Sequence, residues 1–188
     1  MSRITHKLNR RLFVTGALAT TTAACGNGVG SNGSAKIDAR VDSTLNTLRS
    51  KYPGTLDLES KSHGMLVMPL ITKAGFGLGG AYGRGALRIN DTTVDYYSSA
   101  AASFGLQIGA QQFSHVLYFM TAQALSEFRS SKGWAAGADL EYAVKDKGGN
   151  VSAETTTALS PVIAVIFGQA GLLIGATLEG TKYTRIIP

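Results

Sequence analysis

The chain has 188 residues, 44% hydrophobic and 16% charged, enough for one domain with a substantial core and too apolar for a disordered tail. Its formal charge of +6 does not point to nucleic acid: residues 1–24 hold Arg3, Lys7, Arg10 and Arg11 and no carboxylate. The remainder carries fourteen basic against twelve acidic residues, too even a balance for a nucleic-acid footprint. Glycine is in excess, with 23 residues against roughly 13 expected at about 7% usage, and much of it lies among Val, Ile, Leu, Phe and Tyr.

Residues 1–24 read as an export signal. A basic stretch to Arg11 precedes a mildly apolar run over residues 12–19 and then small residues up to Cys25. The run is too short and too rich in Thr and Ala to remain as a membrane span. The stretch NRRLFV at 9–14 is similar to the bacterial twin-arginine motif, with Arg10 and Arg11 as the pair. TAAC at 22–25 is similar to a lipobox, which implies lipid attachment at Cys25, the single cysteine of the chain. Three acyl chains, each buried methylene contributing about 0.8 kcal/mol, make such an anchor effectively permanent. Gly26, rather than Asp, in the next position favours the outer membrane in the sorting pattern of enterobacterial lipoproteins. Residues 25–35 then form a lipidated flexible tether of Gly, Asn and Ser, with a reach of roughly 17 Å, and the folded domain takes up residues 36–188.

From Lys36, apolar residues at Ile37, Val41, Leu45, Leu48 and Tyr52 follow a helical period that Pro53-Gly54 ends. Lys36, Arg40 and Lys51 lie on one side of this stripe, Asp38 and Asp42 on the other. Either the stripe packs on a core and its flanks are solvated, or the basic edge meets anionic headgroups of a nearby membrane while the stripe dips in. Residues 55–63 are ambiguous, with a short second helix as one reading. Residues 64–71 are an apolar run of strand length in which Pro69, lacking an amide donor, marks an edge or a bulge.

GFGLGG at 75–80 spells the glycine fingerprint of a dinucleotide site, and Asp95 stands where an acidic residue could grip a ribose. That fingerprint needs a helix at its third glycine. Here Gly83 and Gly85 follow at once, and Tyr82, Arg84, Ala86 and Arg88 alternate with Gly83, Gly85, Leu87 and Ile89 in a strand period. A nucleotide site is therefore rejected.

Gly-Ala pairs recur at Gly80, Gly109, Gly137 and Gly175, twice inside a longer Gly-Leu-x-Ile-Gly-Ala core. The spacing is too irregular for a solenoid, and the segments read as strands of one curved sheet bent at its glycines. A short helix interrupts them, with Thr121 as N-cap, Leu125 and Phe128 on one face and Gly133 after the last turn. KGGN at 147–150 reads as a hairpin turn, residues 161–167 as a buried strand and residues 177–184 as a final one. The sum is an α+β domain: a mostly antiparallel, glycine-rich curved sheet or small barrel, with an N-terminal amphipathic helix and one further short helix.

No catalytic constellation stands out, and the chain is read as non-enzymatic. His63 and His115 lack partners at metal-ligand spacing, so neither a metal nor another cofactor is expected; His115, inside a strand, is read as structural. No nucleophile elbow is present. Asp139 and Glu179 sit after Gly137 and Gly175 in matching strand contexts and are read as facing solvent.

Four stretches in order, KAGFGLGG at 73–80, SFGLQIGAQ at 103–111, GQAGL at 168–172 and LEGTK at 178–182, resemble the SYLF domain family over roughly residues 36–188. SYLF domains are lipid-binding modules of eukaryotic membrane-trafficking and actin-associated proteins, and occur in bacterial lipoproteins. The resemblance implies a non-catalytic domain that binds phospholipid, phosphoinositides in the eukaryotic members, with an amphipathic N-terminal helix contributing. It also implies Lys73 as a headgroup contact beside Lys36, Arg40 and Lys51. An export signal here replaces the partner modules of eukaryotic members, so the actin binding of some fungal relatives is not carried over. The expected partner is a phospholipid or membrane surface at the periplasmic side of the bacterial envelope, with neither nucleotide nor nucleic acid. The alternative is a structural or protein-interaction module with an envelope protein as partner.

Overall fold

A computed structural model describes residues 31–137, 140–142, 144–145, 151–152, 160–168, 171–172 and 178–188. Cys25, Arg10 and Arg11 lie outside these residues, as do Asp139 and the 147–150 turn.

Helix α1 (Gly33–Lys51) buries Ile37, Val41, Leu45 and Leu48, the stripe that its sequence period defines. It begins three residues before Lys36, so the last residues of the expected tether form its first turn. The Tyr52 amide closes the helix on the Leu48 carbonyl at 2.8 Å before Pro53 breaks it. The ambiguous 55–63 segment contains α2 (Thr55–Lys61), with Thr55 buried and its hydroxyl donating to the Tyr52 carbonyl at 2.8 Å.

Two long strands, β1 (Gly64–Ile89) and β2 (Thr92–Phe119), then form one antiparallel hairpin. The runs at 64–71 and 82–89 are parts of a single strand. The hairpin turns at Asn90 and Asp91, both at positive φ (49° and 59°), the conformation that matches the twist of paired strands. Its register slips between Met68 and Ile71, around Pro69, and again between Gly75 and Gly77, inside the glycine motif. Between those slips and the tip the hairpin curls back over itself. A β-carbon at Gly85 would fall on the Val67 carbonyl oxygen, and one at Gly83 on Leu70 and Ile71, so only glycine permits this approach.

The other edge of β2 is shared. Helix α3 (Ala122–Ser130) follows β2, and then come β3 (Trp134–Ala135), β4 (Glu141–Tyr142), β5 (Val144–Lys145), β6 (Val151–Ser152), β7 (Val162–Gly168), β8 (Gly171–Leu172) and β9 (Lys182–Ile186). Near the tip of the hairpin β2 pairs with β9, and near its base with β7. The main sheet runs β3-β9-β2-β7-β4, with β1 on β2 and β8 on β7; among the described residues only the β4–β7 pair is parallel. The architecture is α+β with a curled, mostly antiparallel sheet. Strands β5 and β6 pair antiparallel on either side of the expected 147–150 turn. The last strand starts at Lys182 rather than at 177, because Gly180 (φ 74°) turns the chain and the Thr181 amide closes on the Leu178 carbonyl at 2.9 Å. Glu179 accordingly sits exposed in that turn and not in a strand.

The sheet is buried on both faces. Met65, Val67, Val116, Tyr118, Ile163 and Val165 pack with the stripe of α1. Their alternates Leu66, Leu117, Phe119, Val162, Ala164 and Ile166 pack with Ala124 and Phe128 of α3. Two-sided burial is why these strands read as unbroken apolar runs. Thr121 caps α3 as its sequence position suggests, its hydroxyl accepting from the Ala124 amide at 3.2 Å. No described helix is long and apolar enough to cross a membrane, which says nothing of strands.

Candidate functional site

At 100° per residue, α1 carries its polar side chains on two edges flanking the buried stripe. The edge with Asp38 and Asp42 is tied into the fold. Asp38 accepts from the Thr93 hydroxyl at 2.8 Å and the Tyr96 hydroxyl at 2.7 Å. Burial, together with the bond to Asp38, pushes the Tyr96 phenol up to about 12. Arg88 of β1 pairs with Asp42 at 2.6 Å and approaches Asp38 at 3.8 Å. Arg49, further along, pairs with Glu59 and with Asp91 at 3.0 Å, and the carboxylate of Glu59 above all holds its guanidinium in the charged form.

The opposite edge is different. Lys36, Arg40 and Lys51 are exposed, and among the described residues none of them makes an ion pair or a side-chain hydrogen bond. Lys36 and Arg40 line a cleft of about 250 Å³ with Leu70, Tyr82 and Arg84, where the two folded halves of β1 meet the start of α1. Tyr82 is 55% and Leu70 36% exposed, so two large apolar groups stand in water between cations. Arg84 and Arg88 share one face of β1, two residues either side of the buried Ala86, so the strand passes one arginine to each edge of the helix.

Lys51 lies roughly 22 Å further along the helix axis at 1.5 Å per residue. It lines a second cleft of about 280 Å³ with Thr44, Thr47, Phe113, Phe167 and Leu70, the last of which both clefts share. Lys73, opposite Gln111 in the hairpin, lines neither cleft. Of the four basic residues singled out in the sequence, the fold thus brings Lys36 and Arg40 together and leaves Lys51 and Lys73 apart. Arg84, Tyr82 and Leu70 were missed. The alternation through Tyr82 and Arg84 marks an exposed strand face, but only the fold of β1 sets that face beside α1.

Other candidates have structural roles. GFGLGG lies inside β1, which continues to Ile89 without a helix, so it is no phosphate cradle. Asp95 is 4% exposed and pairs with Arg129 at 3.2 Å and with Arg185, so it is not waiting for a ribose. His115 is buried, its Nε2 2.8 Å from the Tyr183 hydroxyl, and burial pushes it down to about 3, which keeps it neutral. Its Nδ1 has no partner among the described residues. No group of three or more metal-ligating side chains occurs among the described residues.

The fold is a curled sheet with a helix on each face, and one of these helices presents a cationic edge beside exposed Tyr82 and Leu70. Residues 100–185 match the family model described as Ysc84, Las17-binding protein actin regulator. Over this stretch the chain is similar to the Ysc84, or SYLF, family, the one that its glycine motifs resemble. The match runs from the middle of β2 to β9, and takes in three of the four motif stretches. No curated protein matches the chain.

Proposed function

We propose that this chain is a non-catalytic phospholipid-binding lipoprotein, anchored through Cys25 at the periplasmic face of the bacterial envelope, in the outer membrane. The observation that carries the reading is the cluster of Lys36, Arg40 and Arg84 around exposed Leu70 and Tyr82. Lys36 and Arg40 attract anionic headgroups at about 1 kcal/mol each near a surface, and the apolar tips enter the headgroup boundary. Chain geometry favours the same membrane that holds the anchor. Gly33 itself lines the cleft, and only seven residues separate it from Cys25.

The test is co-sedimentation of the full chain carrying Cys25→Ser with vesicles of phosphatidylcholine alone or with phosphatidylglycerol. Binding that rises with anionic lipid and falls with salt supports the proposal. Absence of binding to either vesicle at low salt overturns it. In cells, Cys25→Ser should move the chain from the membrane fraction to the soluble periplasm; retention in the membrane would remove the anchor from the reading. The description of the matching family names protein binding, which favours an envelope protein partner as the second reading.

A further inference from the structure

On the sheet face opposite α1, a cleft of about 460 Å³ opens beside α3, within the size range of small-molecule sites. It is lined by His63, Leu125, Ser126, Arg129, Ser130 and Arg185. Its two arginines come from distant elements, α3 and β9, and converge on the buried carboxylate of Asp95 in β2. Arg129 gives Asp95 its Nε–H at 3.2 Å, and Arg185 one terminal nitrogen.

A guanidinium has five donors, and Asp95 is met by Nε of Arg129 and by a terminal nitrogen of Arg185. The side chains of Arg129 and Arg185 remain 44% and 62% exposed, so the rest of each fork is in reach of solvent. Asp95 neutralises one of the two charges and fixes both forks, which leaves a net positive, preorganised site. Among the described residues the Ser126 hydroxyl has no partner and adds a donor, while the Ser130 hydroxyl already donates to the Glu127 carbonyl at 3.2 Å. Glu127, the acidic residue of α3, is held by Gln123 at 2.8 Å and does not line the cleft. The cleft also differs from the α1 edge in lacking exposed large apolar groups. Leu125 is half-buried, so nothing here is built to enter a bilayer.

We propose that Arg129 and Arg185, held by Asp95, form an anion site for a phosphate-bearing group presented in water, on the face away from α1. Two guanidinium forks offer a phosphate several charge-assisted hydrogen bonds at once. The site does not depend on the α1 edge and stands or falls separately from it.

The experiment uses the full chain with Cys25→Ser and isothermal titration with inorganic phosphate at constant ionic strength. Saturable binding is expected, weakened about tenfold or more by Arg185→Gln and only in part by Arg185→Lys. Arg185→Gln leaves Asp95 paired with Arg129, so its thermal melting should stay close to that of the parent. A second arm adds vesicles containing phosphatidic acid to a Lys36→Gln, Arg40→Gln background, with and without Arg185→Gln. Vesicle binding that requires Arg185 assigns the phosphate to a lipid headgroup; phosphate binding without it assigns a soluble ligand. If neither phosphate nor vesicle binding depends on Arg185, the proposal is overturned and the two arginines serve only to satisfy Asp95.

Discussion

The two polar edges of α1 belong to one helix, flank the same buried stripe, and have opposite fates. Asp38 and Asp42 meet Arg88, Thr93 and Tyr96 at hydrogen-bond distance, so their side chains belong to the fold. Lys36, Arg40 and Lys51 meet no ionic partner among the described residues, and two of them stand beside exposed Tyr82 and Leu70. Charge alone does not distinguish a structural edge from a binding edge. What distinguishes them is whether the strand beneath supplies a counter-charge, and β1 supplies Arg88 to the acidic edge but another cation, Arg84, to the basic one.

The largest expected effect lies beneath both edges. His115, neutral in the core and facing the Tyr183 hydroxyl, binds a proton in the unfolded chain near pH 6.5 but in the fold only near pH 3. Its contribution is therefore fully present above about pH 6.5 and is lost as pH falls, at about 1.4 kcal/mol per pH unit, until it levels off near pH 3. Urea unfolding at pH 7.0 and 4.5 should show a loss of about 2.6 kcal/mol from this group. In the double variant His115→Phe, Tyr183→Phe, which removes both polar partners, that loss should disappear. An unchanged pH slope would show that the acid sensitivity resides at the edges after all.

Next come the edges themselves, expected to separate stability from binding. Asp38→Ala strips partners from Tyr96 and Thr93 and should cost about 2 kcal/mol of stability, read by urea unfolding, with vesicle affinity unchanged. Lys36→Gln with Arg40→Gln should do the reverse. Anionic-vesicle affinity should fall about thirtyfold, at about 1 kcal/mol per cation, while stability stays within about 0.5 kcal/mol. A double-cation variant that unfolds easily yet still binds would invert the assignment of the two edges.

How much of this was legible in the sequence follows from the range of the interactions. The stripe of α1, the Thr121 cap and the irregularity at Pro69 are local and read directly. Rejection of the nucleotide fingerprint also needed only neighbours, because Gly83 and Gly85 deny a helix. The joining of 64–71 to 82–89 was not legible, since a glycine-rich stretch between two strands looks like a break; continuous pairing with β2 carries the strand through it. The turn was written in Asn90-Asp91, a pair suited to positive φ, but went unread. Arg84 beside Lys36 and Arg129 beside Arg185 depend on how distant elements stack, which no local period encodes. The glycines that allow the first of these approaches, Gly83 and Gly85, were read for their alternation and not for what a side chain there would strike.

Lys51 gives the smallest effect and the finest division of the basic edge. It lies at the far end of α1 beside Phe113 and Phe167, roughly 22 Å from Lys36, beyond two Debye lengths at physiological salt. A bilayer touching the Lys36 cleft along the helix axis would also reach Lys51; one meeting only the N-terminal end of α1 would not. If the whole edge lies on the membrane, Lys51→Gln should lower anionic-vesicle affinity about fivefold, in proportion to one cation. If the domain stands on the end from which its tether leaves, Lys51→Gln should bind like the parent. In that case Tyr82→Ser, in the cleft near Gly33, should still weaken binding. Co-sedimentation of the two variants side by side, in matched salt, separates a helix lying flat from a helix standing upright.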